Sequence, residues 1–136
     1  MWDYKETTCL YNYIGDSYCE LGQPEQGKLY YHKAIDLAPA SRRAYVSLVI
    51  QLLKEELYTE ALAILEACEK KSVHDMTWTW LDNEAMWSWQ VPYYFSLCYF
   101  NLGQNAKAYN YAKEAWEKAP TRTKVLKHFQ LMSQRI

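Results

Sequence analysis

Two helical patterns of large and small residues follow one another in the first forty positions of the chain. Their members recur at spacings of three and four residues, which places them on one face of each helix. These positions are Tyr11, Ile14, Gly15 and Tyr18 in the first pattern and Gly27, Tyr31 and Ala34 in the second. Between the patterns, Gly22 suits a helix end and Pro24 suits the first turn of the next helix. The chain therefore begins with a predicted helical hairpin, whose helices run from about Thr7 to Leu21 and from Pro24 to about Leu37.

The same pattern occurs twice more. Moving each key position on by 34 residues gives a second copy, which contains Tyr45, Leu48, Val49, Leu52, Ala61, Leu65 and Cys68. The third copy is displaced, because Leu102-Gly103-Gln104 repeats Leu21-Gly22-Gln23 and Pro120 repeats Pro39, both 81 residues later rather than 68. Its key positions are Pro92, Phe95, Ser96, Tyr99, Ala108, Ala112 and Ala115. About thirteen residues are therefore inserted before the third copy, within positions 72–88.

Helix boundaries in the later copies are predicted from residues with known positional preferences. Ser41 is a suitable N-cap for the third helix. The turn at 55–57 lacks glycine, which predicts a less sharp boundary, and the next helix should run from about Tyr58 to Lys70. Pro92 predicts a helix that begins near Val91 or kinks there. Beyond the third copy, an apolar stripe predicts one more helix that covers the end of the array; it consists of Val125, Leu126, Phe129 and Met132.

This order of large residues, small residues, an alanine and a closing proline resembles the tetratricopeptide repeat family over nearly the whole chain. In such a hairpin, Gly15 and Gly27 would let the two helices approach closely. The resemblance implies an all-α, right-handed helical array over residues 1–136, with repeats at about 8–41, 42–75 and 89–122 and a capping helix at about 122–134. The shared positions predict a core that includes Tyr11, Tyr18, Tyr31, Leu48, Leu52, Leu65, Phe95, Tyr99 and Ala115.

The insertion and the residue that follows it are rich in tryptophan, with Trp78, Trp80, Trp87 and Trp89 inside twelve residues. The alternation around Thr79 predicts an extended segment, and Asp82 is a candidate cap for a short helix over 83–88. Two interpretations stand side by side. The rings fill the wedge that the insertion opens between hairpins, or one or two of them remain exposed as anchors for a partner, since large aromatic residues carry much of the energy of interfaces.

The stretch from Trp78 to Pro120 also resembles the C-terminal tetratricopeptide tail of bacterial and phage nucleotide-sugar glycosyltransferases. In those tails an acidic, tryptophan-containing insertion precedes a repeat that begins with proline and tyrosine. The matching positions are Trp87, Pro92, Tyr93, Leu97, Tyr99, Leu102 and Gly103, and the order Phe95-Ser96-Leu97 departs slightly from the pattern. This resemblance implies that the chain is the accessory region, or a partner, of a glycosyltransferase.

Composition and motifs argue against several classes of function. The net charge is −1 and the charges are interspersed, so no electrostatic footprint for nucleic acid is expected. The sequence has no long apolar run of membrane-spanning type and no export signal at its start, which predicts a cytoplasmic protein with reduced cysteines. Cysteine spacings and the separate positions of His32, His74 and His128 predict no metal, no cofactor and no catalytic constellation. Cys68 falls at a core position and is expected to be a buried thiol.

The predicted function is a non-catalytic scaffold that binds a protein or peptide segment, or a second copy of the chain. The first helix of each hairpin is expected to line a groove that is acidic at one end and apolar and aromatic at the other. The residues predicted to bind a partner are Asn12, Asp16, Arg43, Ile50, Leu53, Tyr93, Tyr94, Leu97, Trp78, Trp80 and Trp87. Glu20, Val46 and Phe100 are also expected to face this groove.

Two other binding roles follow from particular residue types. An aromatic cleft could bind a small ligand or a glycan by stacking, although no acidic or amide cluster stands ready to orient a sugar. Tetratricopeptide adaptors that clamp an acidic C-terminus resemble one another in basic and amide residues along the groove. The corresponding positions here are Asn12, Asp16, Ser47, Gln90 and Tyr94. Because they include an aspartate and no basic residue, they predict that the chain does not clamp a C-terminal carboxylate.

Overall fold

A computed structural model describes residues 4–74 and 82–135, and within these residues all regular structure is helical. The elements are α1 (Tyr4–Glu20), α2 (Pro24–Leu37), α3 (Arg43–Lys54), α4 (Tyr58–Lys71), α5 (Glu84–Trp87), α6 (Gln90–Asn101), α7 (Asn105–Lys118) and α8 (Thr123–Ser133). Helix α1 begins three residues before the predicted start at Thr7. The predicted limits of α2 and α4 hold to within one residue.

The long helices pair into three hairpins, and α8 follows as a single capping helix. Helices α1 and α2 pack together, as do α3 with α4 and α6 with α7. The second helix of each hairpin also packs on the next first helix, so that α2 contacts α3, α4 contacts α6 and α7 contacts α8. This succession is the helical array that the repeated pattern predicts. Helix α5 is a short piece of the insertion and packs on α6.

All three hairpins turn in the same way. The turn residue has a positive φ in each case, 77° at Gly22, 59° at Glu56 and 79° at Gly103. A backbone bond of 2.9 Å then closes each turn: Gln23 N–H donates to the Tyr18 carbonyl, Leu57 N–H to that of Leu52, and Gln104 N–H to that of Tyr99. The prediction of a less sharp turn at 55–57 is therefore wrong, because Glu56 adopts the left-handed conformation that glycine provides in the other two hairpins.

Contact between α1 and α2 depends on two glycines, as the sequence predicts. A Cβ atom added to Gly27 would lie 2.8 Å from the backbone oxygen of Gly15, and one added to Gly15 would lie 2.6 Å from the Tyr31 ring. Both distances are shorter than a van der Waals contact. The two helices are thus as close as their backbones permit.

The core agrees with most of the predicted positions. Tyr31, Leu48, Leu52, Leu65, Phe95 and Ala115 are buried, and so is the Cys68 thiol, whose pKa burial raises to about 11. Tyr11, Tyr18 and Tyr99 are only half-buried, which corrects the prediction for these three. Tyr11 and Tyr18 both pack against the ring of Tyr30 within the first hairpin.

The start of α3 is capped from the insertion and not by Ser41 alone. The Asp82 carboxylate accepts hydrogen bonds from the Ser41 hydroxyl at 2.6 Å, the Arg42 N–H at 2.9 Å and the Arg43 N–H at 3.1 Å. The short helix α5 is capped instead by Asn83, whose side chain accepts from Met86 N–H. The predicted cap role of Asp82 at α5 is therefore wrong, because its carboxylate is used forty residues back in the chain.

Two further predictions concern the second half of the chain. Pro92 lies in the first turn of α6, which begins at Gln90, so its missing N–H leaves no helical bond unmade. In α8, Val125 and Met132 are buried and Leu126 and Phe129 are half-buried, as the apolar stripe predicts. The predicted extended segment at Trp78 and Trp80 lies outside the described residues.

Candidate functional site

Helices α1, α3, α6 and α8 occupy equivalent places in the array. Helix α1 contacts α3, and α3 contacts α6. Helix α8 reaches α6 through His128, which lies against Ser96 and Tyr93. We use "groove" for the surface on these four helices that is formed by two rows of repeat-equivalent residues and their neighbours. The central row is Asp16, Ile50, Leu97 and Leu131, and the edge row is Glu20, Lys54, Asn101 and Arg135.

At the α1 end, the groove contains a depression of about 200 Å³. Its lining includes Asp16 and Glu20 from α1 and Ile50 and Lys54 from α3. The Tyr31 hydroxyl donates to Asp16 Oδ1 at 2.6 Å. Burial raises the pKa of Tyr31, and the hydrogen bond to Asp16 and the charge of that carboxylate raise it further. Asp16 is therefore fixed in place as a hydrogen-bond acceptor at this end.

The middle of the groove is apolar. Ile50 and Leu53 of α3 and Leu97 of α6 are half-buried and pack against the main core. Each of them keeps part of its side chain exposed while its inner part is held by the core. These three residues thus form a rigid apolar surface between the two ends of the groove.

The α8 end is aromatic and basic. Tyr93 meets the His128 ring edge-on, with ring centroids 5.4 Å apart, and the Lys124 ammonium lies 5.6 Å from the Tyr93 ring. The Arg135 guanidinium lies 5.2 Å from the ring of Phe100. Groups from the last helix and its end thus lie against the rings of Tyr93 and Phe100, which are both predicted to face the groove. A partner at this end would meet cations as well as aromatic surface.

Several residues that are predicted to bind a partner have little solvent-exposed surface. Asn12 is 3% exposed and Tyr94 is 7% exposed, and Val46 is buried as well. Arg43 is half-buried, and its backbone N–H is bound to Asp82. Repeat spacing on α1, α3 and α6 predicts which face of the helix a residue lies on, but not how deeply it is buried. These residues lie where neighbouring helices pack closely.

The described tryptophans are engaged with the protein itself. Trp87 stacks on His74 with centroids 4.5 Å apart, lies 4.0 Å from the Arg42 guanidinium and donates from Nε1 to Asp82 at 3.2 Å. Trp89 is buried, and the Arg122 guanidinium lies 4.5 Å from its ring. These contacts agree with the wedge-filling interpretation for Trp87 and Trp89 and leave neither ring as a free platform for a sugar. Trp78 and Trp80 lie outside the described residues.

The five positions that correspond to a carboxylate clamp are mostly occupied in other ways. Asp16 accepts from Tyr31, and the Gln90 amide approaches the Tyr94 hydroxyl at 3.5 Å. The buried oxygens of the Asn12 and Gln90 side chains have no hydrogen-bond partner among the described residues. No positive charge stands at any of the five positions.

One serine and one histidine form a close pair, but their setting is structural. Ser96 Oγ donates to the Ala108 carbonyl at 2.7 Å and lies 2.6 Å from His128 Nε2. Since the serine proton is used on Ala108, His128 is the donor in the second bond. Ser96 has no exposed surface, so no substrate could reach its oxygen.

Among residues 4–74 and 82–135, no three His, Cys, Asp or Glu side chains form a group that could hold a metal ion. No helix in these residues has the length and hydropathy that crossing a bilayer requires.

Three groove residues on or beyond α8 are absent from the predicted set. Leu131 is 38% exposed and continues the row of Ile50 and Leu97, while Lys127 and Arg135 are exposed beside it. The signal that locates them is the same shift of 34 residues, since Leu131 follows Leu97 by that interval. Helix α8 thus has the place of the first helix of a fourth hairpin as well as the role of a cap.

Solved structures similar to this chain are tetratricopeptide domains. The N-terminal domain of stress-induced protein-1 (STI-1) from C. elegans matches with a TM-score of 0.78 and 12% identity, over 98% of this chain and 99% of that one. The first TPR of Spaghetti (RPAP3), bound to the HSP90 peptide SRMEEVD, matches with a TM-score of 0.76 and 12% identity, over 94% and 91%. YrrB, a TPR protein with an unusual peptide-binding site, matches with a TM-score of 0.70 and 18% identity, over 90% of this chain and 56% of that one.

No protein-family model matches the chain, and no curated protein matches it in sequence. Identities this low establish the likeness of the fold alone. Together with the eight described helices and the three hairpins that turn alike, they show that the chain has the tetratricopeptide-type helical fold.

Proposed function

We propose that this chain is a protein-interaction module that holds a segment of another polypeptide in the groove. The observation that carries the proposal is the apolar surface of Ile50, Leu53 and Leu97, which is held rigid by the core and remains partly open to solvent. Apolar surface of this kind, bordered by polar residues, is typical of interaction sites. A rigid surface also binds without a large cost of ordering its own side chains.

The similar structures support this assignment in kind. The RPAP3 domain is described with a bound HSP90 peptide, and YrrB is described as having a peptide-binding site. This chain has the same fold, with the depression beside Asp16 and Ile50 at one end of its groove. A side chain from a bound segment fits such a depression.

A selection from a library of random peptides displayed on phage tests the proposal. Peptides selected on the wild-type chain are measured by fluorescence anisotropy against Ile50→Gln, with Leu29→Gln as the matched control. Leu29 is a leucine on α2 outside the groove, 49% exposed. We expect Ile50→Gln to weaken binding at least about tenfold, since a central anchor is removed, and Leu29→Gln to leave it unchanged.

Circular dichroism and urea unfolding are used to check that both variants are folded. Equal binding by wild type and Ile50→Gln would contradict the proposal, and so would a library that yields no binder at all. Loss of binding in Leu29→Gln alone would place the site on α2 instead.

The proposed partner is the catalytic domain of a nucleotide-sugar glycosyltransferase. This part rests only on the sequence resemblance over Trp78–Pro120, and none of the similar structures named above is described as a glycosyltransferase. The glycosyltransferase encoded closest to this chain, purified separately, should then co-sediment with the wild-type chain and not with Ile50→Gln. If the two proteins sediment independently, the glycosyltransferase is not the partner, and the proposal that the groove binds a polypeptide segment still stands.

A further inference from the structure

Charge changes sign along the groove. At the α1 end, Asp16 and Glu20 face the depression, where Lys54 is the one cation in the lining. At the α8 end stand Lys124, Lys127 and Arg135, and the sequences of α6 and α8 contain no carboxylate. Between the two ends the surface is apolar. The groove therefore has an acidic end and a basic end, separated by Ile50 and Leu97.

The basic end is not neutralised within the described part of the chain. The carboxylates in 82–135 are Asp82, Glu84, Glu114 and Glu117, and none of them lies within ion-pair distance of Lys124, Lys127 or Arg135. Glu114 is paired with Lys118 on α7. Two of the three cations lie against groove rings, since Lys124 is 5.6 Å from the Tyr93 ring and Arg135 is 5.2 Å from that of Phe100. Their positive charge is thus held next to apolar surface, where an opposite charge is attracted more strongly than in open water.

From this charge pattern we infer that the groove selects a protein segment in which an aliphatic or aromatic residue is followed, on one side only, by Asp or Glu residues. The apolar residue lies on Ile50 and Leu97, and the carboxylates lie against Lys127 and Arg135. Asp16 and Glu20 repel carboxylates from the other end, so repulsion as well as attraction fixes the orientation of the segment. This inference rests on the proposed function, because it names the kind of segment that the groove binds.

A protein segment fits this surface better than a nucleic acid. The cations of the groove number only a few, and the same groove carries the carboxylates of Asp16 and Glu20, which would repel a continuous phosphate backbone. The whole chain has a net charge of −1. A short acidic stretch beside an apolar anchor can avoid the acidic end, whereas a polyanion that runs the length of the groove cannot.

The basic end also lies apart from the positions that a carboxylate clamp would use. Those positions lie on α1, α3 and α6, and they carry no cation. Lys124, Lys127 and Arg135 lie on or just beyond α8, which is the fourth helix of the groove. The absence of a clamp on the first three helices is therefore compatible with an acidic partner held by the last.

The same phage library tests this inference when the Asp and Glu content of the selected peptides is compared. We select peptides on the wild-type chain and on Lys127→Glu/Arg135→Glu, in which two exposed cations of the basic end are reversed. The control is Lys70→Glu/Lys113→Glu, which makes the same change in net charge at two exposed lysines of α4 and α7. Urea unfolding verifies the stability of each variant.

We expect wild-type binders to be enriched in Asp and Glu on one side of an apolar residue. Binders of Lys127→Glu/Arg135→Glu should lose that enrichment, whereas those of Lys70→Glu/Lys113→Glu should keep it. An acidic wild-type binder should bind Lys127→Glu/Arg135→Glu at least about tenfold more weakly, and the difference should shrink as salt screens the charges.

Each other outcome has a definite meaning. Binders that depend on Ile50 but show no acidic preference would overturn this inference and leave the proposed function standing. An acidic preference that survives in Lys127→Glu/Arg135→Glu would also overturn it. Equal weakening by the control pair would show that net charge, and not the basic end, sets the preference. Tight binding of a single-stranded oligonucleotide that depends on Lys127 and Arg135, without any peptide binder, would replace the proposed protein segment by nucleic acid.

Discussion

At the residue scale, the first hairpin depends on two positions, 15 and 27, where glycine leaves no side chain between the helices. Gly15 and Gly27 face each other across α1 and α2, and Tyr31 fills the space beside them. A methyl group at position 27 would meet the backbone oxygen of Gly15, which cannot move without shifting α1. Because α1 carries the acidic end of the groove, this contact also sets where Asp16 and Glu20 lie.

Replacing Gly27 by alanine should therefore destabilise the protein. We expect the free energy of unfolding to fall by about 1–3 kcal/mol, since overpacking outweighs the better helix propensity of alanine. Gln26→Ala, an exposed neighbour on the same helix, should change it by less than about 0.5 kcal/mol. Urea unfolding followed by circular dichroism measures both. If Gly27→Ala were as stable as Gln26→Ala, the close approach of α1 and α2 would not be real.

The residue scale also shows the limits of sequence reasoning. Repeat spacing located Ile50, Leu97 and most of the core, because equivalent positions in each copy make equivalent contacts. It could not tell that Glu56 takes the conformation of Gly22 and Gly103, since a left-handed glutamate carries no sequence signal. Nor could it tell that Asn12 and Tyr94 are buried, because depth depends on how closely neighbouring helices approach.

At the scale of elements, polar contacts fasten the insertion to the start of the second hairpin. Asp82 caps the start of α3 and accepts from Trp87 Nε1, while the Arg42 side chain donates to the Met86 carbonyl at 2.9 Å and to Ser72 Oγ at 3.0 Å. One carboxylate thus serves two elements that are forty residues apart in sequence. The sequence predicted a cap at Asp82 and misplaced it, because capping preference identifies a residue type but not the helix that it serves.

Asp82→Ala removes this junction. The change leaves the Trp87 N–H and the first N–H groups of α3 without their acceptor, so we expect a loss of about 1–3 kcal/mol in the free energy of unfolding. Asn83→Ala is the matched control, since it removes one capping bond from the four-residue helix α5 and should cost clearly less. Chemical denaturation of both variants decides between them. Equal losses would contradict the role of Asp82 at the start of α3.

Helix α8 is attached to α6 through a buried histidine. Burial lowers the pKa of His128 from its ordinary value of 6.5, and its Nε2 donates to Ser96 while its ring lies against Tyr93. Helices α6 and α8 carry no carboxylate that would favour the charged imidazole. The folded protein therefore resists protonation at this position.

This resistance predicts a pH dependence of definite sign. As the pH falls through about 6.5, the unfolded chain binds a proton at His128 and the folded chain does not. The stabilisation of the folded chain by neutral His128 is therefore complete above that pH. It declines as the pH falls and stops declining below the lower pKa of the folded state. We expect the urea midpoint to fall between about pH 7.5 and pH 5.5 in the wild type. His128→Gln should show a smaller fall over the same interval, and an unchanged slope would contradict the role of His128.

At the scale of the whole molecule, three hairpins and one capping helix form a groove whose two ends carry opposite charge. The sequence predicted an acidic end from Asp16 and Glu20 and an apolar, aromatic surface over the rest of the groove, which includes Ile50 and Leu97. The cap role predicted for α8 concerns only the face that covers α7, so it does not predict the basic end. In the folded chain α8 does both, since Val125 and Met132 are buried while Lys127 and Leu131 remain exposed.

The central claim is that partners bind along the groove and not on the outer helices. The most direct measurement is a backbone-amide NMR titration of the labelled chain with an acidic peptide from the phage selection. We predict that the perturbed amides cluster on α3, α6 and α8, around Ile50, Leu97 and Leu131. Perturbations confined to α2, α4 and α7 would contradict the claim.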